Sequence, residues 1–226
     1  MSERHVKNIV LAGVGGQGSL LAGQIIARVA TLAGLSVAAS EVHGMAQRGG
    51  SVFSTVRYGS EVFSPAVPEG EADVLLAFEK LEALRYLGYL KIDGLVLVNN
   101  QRIAPSVESL KLASYPEDPK IEETLHRRTG TALIVPGLEI AQGLGNPALA
   151  NTVMLGALSI FLDLPHEEWR QAIAELVPPK TLELNYLAFE EGLTWAKRIS
   201  ASTKFINLSR LPPGSSSLEG ISTAAS

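Results

Sequence analysis

The sequence of 226 residues contains no cysteine. Disulfides, thiolate nucleophiles, zinc ribbons and any iron–sulfur cluster held by the chain's own side chains are thereby excluded. Redox chemistry must then be carried by another molecule. Histidine is scarce as well, with four in the chain, and His5, His43, His126 and His166 show no spacing that would gather them around a metal. There is no excess of positive charge. The formal net charge is −4 and the pI is near 5.6, whereas binding nucleic acid calls for a concentrated Lys/Arg surface, so nucleic acid is not an expected partner. Long hydrophobic runs are missing too. The most apolar stretch, residues 153–162, is about half of the ~20 residues that a membrane-crossing helix needs, so it reads as a buried core helix and no membrane partner is expected. The polar start Met1-Ser-Glu-Arg-His-Val-Lys7 lacks the apolar centre and small-residue cleavage site of a secretory signal. A cytoplasmic location is the expectation.

What is present is a composition of 46% hydrophobic and 19% charged residues, that of one globular domain able to bury a sizeable core. Residues 5–14 carry Val6, Ile9, Val10 and Leu11, a run too short and continuous for an amphipathic helix, which predicts a strand buried on both faces. From Ser19 onward, Leu21, Ile25, Val29 and Leu32 form one stripe of a helix that Gly34 can end in the left-handed conformation. Strands are predicted over 36–42 and 51–58. The link between them is shorter than the dozen or more residues of a helical crossover, so the second of the pair should be antiparallel or displaced. A strand over 72–78, a helix over 79–90 and strands over 94–99 and 131–135 continue a β/α rhythm. Helices are predicted over 148–162, 165–176 and 181–199. The fold class is α/β, a Rossmann-like, mostly parallel sheet with flanking helices and a helical C-terminal region. The domain should fill residues 1–200. Residues 201–226, rich in Ser and with Pro212-Pro213-Gly214, are expected as a flexible tail, because they offer little apolar surface to offset ordering entropy.

Gly13-Val-Gly15-Gly16-Gln17-Gly18 falls where the first strand ends and the first helix begins, and Gly13, Gly15 and Gly18 match the G-x-G-x-x-G dinucleotide spacing. Glycines allow a sharp turn and close approach of a ligand, while the free N–H groups at the helix start attract a phosphate or carboxylate. Gly13, Gly15, Gly16, Gln17 and Gly18 are therefore the candidate cofactor-binding residues. Ser19 stands where a nucleoside-triphosphate loop would carry lysine, which disfavours ATP or GTP hydrolysis. The bland reading is a tight strand-to-helix turn and nothing more. A rival functional reading is a noncatalytic dinucleotide-binding or regulatory module, with Glu41 at the end of the second strand bonding a ribose hydroxyl. Against it stands the absence of a second crossover helix after Glu41. In its place comes a polar bend, His43-Gly-Met-Ala-Gln47-Arg48-Gly49-Gly50.

These two motifs together, Gly13 to Gly18 and Glu41-Val-His-Gly-Met-Ala-Gln-Arg-Gly-Gly-Ser-Val52, resemble the gamma-type domain of 2-oxoacid:ferredoxin oxidoreductases, and the wording of the second is most similar to the small subunits of indolepyruvate-type enzymes. The segments from Ala72 to Glu79, Asn151 to Leu158 and Pro178 to Asn185 carry the resemblance further, over about residues 5–200. It implies the oxidative decarboxylation of an aryl-2-oxoacid to an acyl-coenzyme A, with electrons passed to ferredoxin through the complex. It also implies a large partner subunit that holds thiamine diphosphate, Mg and the iron–sulfur clusters, in keeping with a chain that has no cysteine. No metal site and no tightly held cofactor are expected on this chain, and coenzyme A is the expected contact of the glycine loop. Glu41, His43, Gln47, Arg48, Gly49 and Gly50 are the candidate ligand or subunit-interface residues. Arg48 stands out because its planar fork, flanked by glycine, could grip a carboxylate or phosphate bidentately. Glu79 reads as a helix N-terminal partner, and Asn151 and Asn185 as capping or interhelical groups.

Overall fold

In the computed structural model, which describes residues 6–43, 50–103, 115–129 and 131–202, the chain runs β1 (Lys7–Val14), α1 (Ser19–Leu32), β2 (Ser36–His43), β3 (Ser51–Gly59), β4 (Ala72–Ala77), α2 (Lys80–Tyr86), β5 (Leu90–Asn99), α3 (Asp118–Arg128), β6 (Thr131–Val135), α4 (Gly137–Gly143), α5 (Ala150–Ser159), α6 (His166–Leu176) and α7 (Leu182–Ser202). The strand order is β2-β3-β1-β4-β5-β6. The β1, β4, β5 and β6 strands are parallel, whereas β3 runs antiparallel to both β1 and β2. The strand with the short link is thus both antiparallel and displaced: it inserts between the first two strands of an otherwise parallel sheet.

The β1 strand alternates between two cores. Ile9 and Leu11 face α1, α5, α6 and α7 with Ile25, Ile26, Trp169 and Phe189, while Val10 and Ala12 face α2 and α3 with Leu75, Val96, Ile121 and Leu125. All four are fully buried, as a continuous apolar run requires of a central strand. The α1 helix ends at Gly34, φ 76°, and Leu35 N–H reaches back to Ala30 O at 3.0 Å, which satisfies an orphan carbonyl of the last turn. Every residue of α5 is buried. It crosses α7 at backbone contact, since a Cβ on Gly156 would stand 2.0 Å from Phe189 O and one on Gly192 would stand 2.0 Å from Val153 O.

Several boundaries move. The helix expected over 79–90 stops at Tyr86, followed by a 3₁₀ turn over Leu87–Tyr89, and β5 begins at Leu90, with a register shift against β4 between Ala72 and Val74. The helix expected from 148 starts with a 3₁₀ turn, Pro147–Leu149, before α5. Two helices, α3 and α4, were not foreseen. The expected tail lies, apart from residues 201–202, outside the described residues.

Candidate functional site

The carboxyl ends of the parallel strands meet at one edge of the sheet, where open α/β folds bind ligands. The chain leaves β1 there through the glycine loop. Gly16 and Gly18 have φ of 104° and 76°, conformations that glycine adopts without a Cβ penalty, and Gly18 is the N-cap of α1. No described side chain caps that helix and its first turn has no acidic residue, so its positive end is left to attract an anion.

The second motif adjoins this loop directly. Gly15 N–H donates to Gly50 O at 2.9 Å, and Gly13 and Val14 pair with Val52 and Ser51. Of the bend, Gln47, Arg48 and Gly49 lie outside the described residues. His43 is the last residue of β2, its backbone paired with Val52. Glu41 pairs with Ser54 and lines a groove of ≈ 230 Å³ between β2–β3 and the Leu20, Gly23, Gln24 and Ala27 side of α1. In dinucleotide folds the ribose-binding acid follows the strand beside β1. Here β3 occupies that place, so Glu41 stands two strands from β1, on the order of 10 Å at ordinary strand spacing.

Gln17, expected among the ligand-contacting groups, turns inward. Its Oε1 accepts from Val14 N–H at 2.8 Å, and its Nε2 donates to Phe78 O at 2.7 Å and to Gln101 Oε1 at 2.9 Å. With both ends of the amide engaged, Gln17 braces the loop from beneath. Asn99, 1% exposed, extends the brace: its Nδ2 donates to Phe78 O at 3.3 Å and Gln101 Oε1 at 3.0 Å, and its Oδ1 accepts Leu138 N–H at 3.1 Å, in the first turn of α4. From the other side, Asn151 of α5 donates to Gly18 O at 3.4 Å. Its amide nitrogen would be 2.5 Å from a Cβ at position 18, so glycine is required there by space as well as by φ.

Beside the bend, Ser51 Oγ donates to Glu82 and lies 3.0 Å from Tyr86 Oη, while Phe53 stacks on Tyr86 with centroids 4.8 Å apart. Glu79, also 1% exposed, caps α2 as its position suggested. Its carboxylate accepts from Leu81 N–H at 2.6 Å, Glu82 N–H at 3.0 Å and Ile103 N–H at 3.1 Å, and from the Tyr115 hydroxyl. Burial, joined by the hydrogen bond and charge of Glu79, pushes the Tyr115 phenol well above the ordinary tyrosine range. Asn185 plays an interhelical role, accepting from Thr152 Oγ1 at 2.7 Å.

The sequence did not single out Asn99, Gln101 or Glu82. A polar amide immediately after an apolar strand, as in Leu95 to Asn99, was the available signal for the first. Chemically, the arrangement can seat an anion against the start of α1 and hold the loop rigid around it. Among the described residues no three His, Asp or Glu side chains gather as metal ligands. No described helix is long and apolar enough to cross a membrane.

Comparison with known proteins bears directly on this arrangement. The sequence profile of pyruvate ferredoxin/flavodoxin oxidoreductases matches residues 8–195. The chain is 43% identical over 195 residues to the indolepyruvate oxidoreductase subunit IorB of Thermococcus kodakarensis, covering 85% of this chain and 96% of that protein. The corresponding subunit of Archaeoglobus fulgidus is 42% identical over 191 residues, 84% of this chain and 94% of that one. Among solved structures, the gamma subunit of a keto/oxoacid ferredoxin oxidoreductase from Geobacter sulfurreducens superposes with a TM-score of 0.63 at 28% identity, covering 85% of this chain and 99% of that chain.

Proposed function

This chain belongs to the pyruvate ferredoxin/flavodoxin oxidoreductase family, and from that premise we propose that it is the small subunit of an indolepyruvate oxidoreductase. The enzyme oxidatively decarboxylates an aryl-2-oxoacid to an acyl-coenzyme A and reduces ferredoxin. The observation that carries this reading is the 43% identity spanning 96% of a subunit named for that activity. The division of labour follows from the chain's own chemistry. Without cysteine it can ligate no iron–sulfur cluster. Family membership assigns thiamine diphosphate, Mg and the clusters to a large partner subunit, and ferredoxin meets the complex rather than this chain alone. A cytoplasmic site of action fits that partnership.

Within the complex, this chain's part is to bind and orient coenzyme A. The diphosphate suits the uncapped start of α1, held in shape by Gln17 and Asn151, with Arg48 as the cation that grips it. The competing reading, a noncatalytic dinucleotide module, is disfavoured by the place of Glu41, two strands from β1. Co-expression with the large subunit tests the proposal. The complex should reduce ferredoxin with indolepyruvate and coenzyme A, and the isolated chain should turn over no 2-oxoacid. Titration of the isolated chain should show binding of coenzyme A in preference to NAD or FAD; tight dinucleotide binding without coenzyme A binding would overturn the assignment of the loop.

A further inference from the structure

We propose that Thr152 and Asn185 are positioning residues for the anion site: acting through Asn151, they hold the Gly18–Ser19 peptide in the orientation that α1 presents to a ligand. The inference rests on the reading of the glycine loop as the coenzyme A contact. Three buried polar side chains from α5 and α7 form one hydrogen-bond relay that ends at the loop. Asn151 Nδ2 donates to Gly18 O at 3.4 Å, and Asn151 Oδ1 accepts from Thr152 N–H at 2.9 Å. The Thr152 hydroxyl donates to Asn185 Oδ1 at 2.7 Å. Asn185 Nδ2 in turn donates to Thr181 O at 2.9 Å, in the 3₁₀ turn that precedes α7. Buried polar groups cost stability unless each is satisfied, and a satisfied network fixes one arrangement of its members. Packing α5 on α7 requires only apolar side chains, so three amides and hydroxyls in succession call for another purpose.

That purpose lies at the end of the relay. Gly18 O also accepts Ala22 N–H at 3.0 Å, the first helical bond of α1. In a trans peptide the N–H points opposite to the C=O, so fixing Gly18 C=O fixes Ser19 N–H, the first of the orphan donors at the helix start. The sense of the Asn151 amide matters equally. Its oxygen meets both the Thr152 N–H and, at 3.4 Å, the Thr152 hydroxyl, which leaves the nitrogen as the end that faces Gly18 O; the reverse sense would set two oxygens against each other. Asn185 keeps the Thr152 hydroxyl in the rotamer that does this. The base of the relay is firm, because one turn beyond Thr152 and Asn185 stand Gly156 and Phe189, where the two helices meet at backbone contact. A lost bond is therefore not made good by sliding α5 along α7, and the slack passes to Asn151 and the loop.

Steady-state kinetics and coenzyme A titration of the complex reconstituted with the large subunit test this. The variants are Thr152→Val, which keeps the shape and drops the donor, Thr152→Ser, which keeps the donor, and Asn185→Leu. Leu158→Ala, in the buried core between the same helices, is the control for lost stability alone. Thr152→Val and Asn185→Leu should each raise KM and Kd for coenzyme A by about three- to tenfold, the worth of one hydrogen bond, with kcat unchanged. Thr152→Ser should keep both near the wild-type values, and Leu158→Ala should lower Tm without moving either. In an Asn151→Ala background, where the link to Gly18 is already cut, Asn185→Leu should still lower Tm but add nothing to KM. Relay variants that lower Tm and leave KM and Kd unchanged would overturn the proposal, as would an Asn185→Leu effect on KM that persists in full without Asn151. Gly18→Ala separates the relay from the reading beneath it. If Gly18→Ala weakens coenzyme A binding and the relay variants do not, the relay alone falls; if neither Gly18→Ala nor Asn151→Ala affects coenzyme A, the loop loses its ligand and the proposal falls with it.

Discussion

Replacing Gly18 by alanine strains the glycine loop in two separable ways. A φ of 76° costs a residue with a Cβ about 1–2 kcal/mol. The new methyl would also stand 2.5 Å from Asn151 Nδ2, nearer than side chains tolerate, so the amide must swing away and give up its 3.4 Å bond to Gly18 O. Losing that bond adds about 0.5–1.5 kcal/mol. The sum is about 1.5–3.5 kcal/mol, which for a chain of this size lowers Tm by about 3–14 °C. Two further variants divide the effect. Gly16→Ala, at φ 104° with nothing within 4 Å of its Cβ, reports the backbone cost without a collision. In an Asn151→Ala background the obstructing amide is gone, so Gly18→Ala should cost only the backbone part, and the double-mutant cycle should show a coupling of about 1 kcal/mol. Urea unfolding followed by circular dichroism measures all of these. If the cycle shows no coupling and Gly18→Ala is no worse than Gly16→Ala, then Asn151 does not hold the loop from above and the packing argument fails.

Gln17→Leu removes the acceptor of the Val14 N–H while Asn99 still serves Phe78 O and Gln101; the orphaned amide should cost about 1–3 kcal/mol, and an unchanged Tm would show that Gln17 is not a brace. Of the five tyrosines, Tyr58 and Tyr115 are pushed upward, chiefly by burial, with Asp163 and Asp73 acting on the first and Glu79 on the second. Their raised folded values mean that the stability they contribute is fully present below pH of about 10 and is lost as pH climbs further. Tyrosinate absorbance of the folded protein should contain a late-ionising component that Tyr58→Phe and Tyr115→Phe each diminish, and its absence would contradict their burial. Arg48→Lys keeps the charge but loses the planar fork, so coenzyme A binding by the reconstituted complex should weaken about tenfold or more, as loss of a charge-assisted bond of about 1.5–3 kcal/mol requires. Wild-type affinity and turnover in that variant would leave Arg48 as a loop-ordering residue.

Much of this architecture was legible because local pattern and tertiary role coincide. The run around Ile9 to Leu11 had to be central because it is apolar on both sides, and Gly34 had to end α1 because few other residues take its φ. Even the irregular place of β3 followed from the length of the link before it. The α3 helix escaped notice because only Ile121 and Leu125 of its residues are buried, too sparse a stripe to read. The α4 helix is short, bounded by glycines, and started by Asn99 Oδ1 from 39 residues away, a contact that leaves no local trace. The same reason explains the site. Glycine spacing announced the loop, but the partners of the Gln17 amide nitrogen lie 61 and 84 residues distant, so its inward turn could not be read from its neighbours in sequence. Asn151, which looked like an ordinary cap, meets Gly18 across 133 residues.

The placement of β1 between β3 and β4 has a consequence for how the protein is made. The strand precedes both of its neighbours in the chain, and its second neighbour is complete only at Ala77, roughly 60 residues of synthesis later. At ordinary translation rates of about 5–20 residues per second, the buried central strand β1 waits on the order of 3–12 s for a partner on that side. During that interval α1 is the one helix among the described residues already made, and it can shelter Ile9 and Leu11, while α2 and α3, which cover Val10 and Ala12, are still to come. Slowing translation just after β1 should therefore lower the soluble yield more than slowing it after β4.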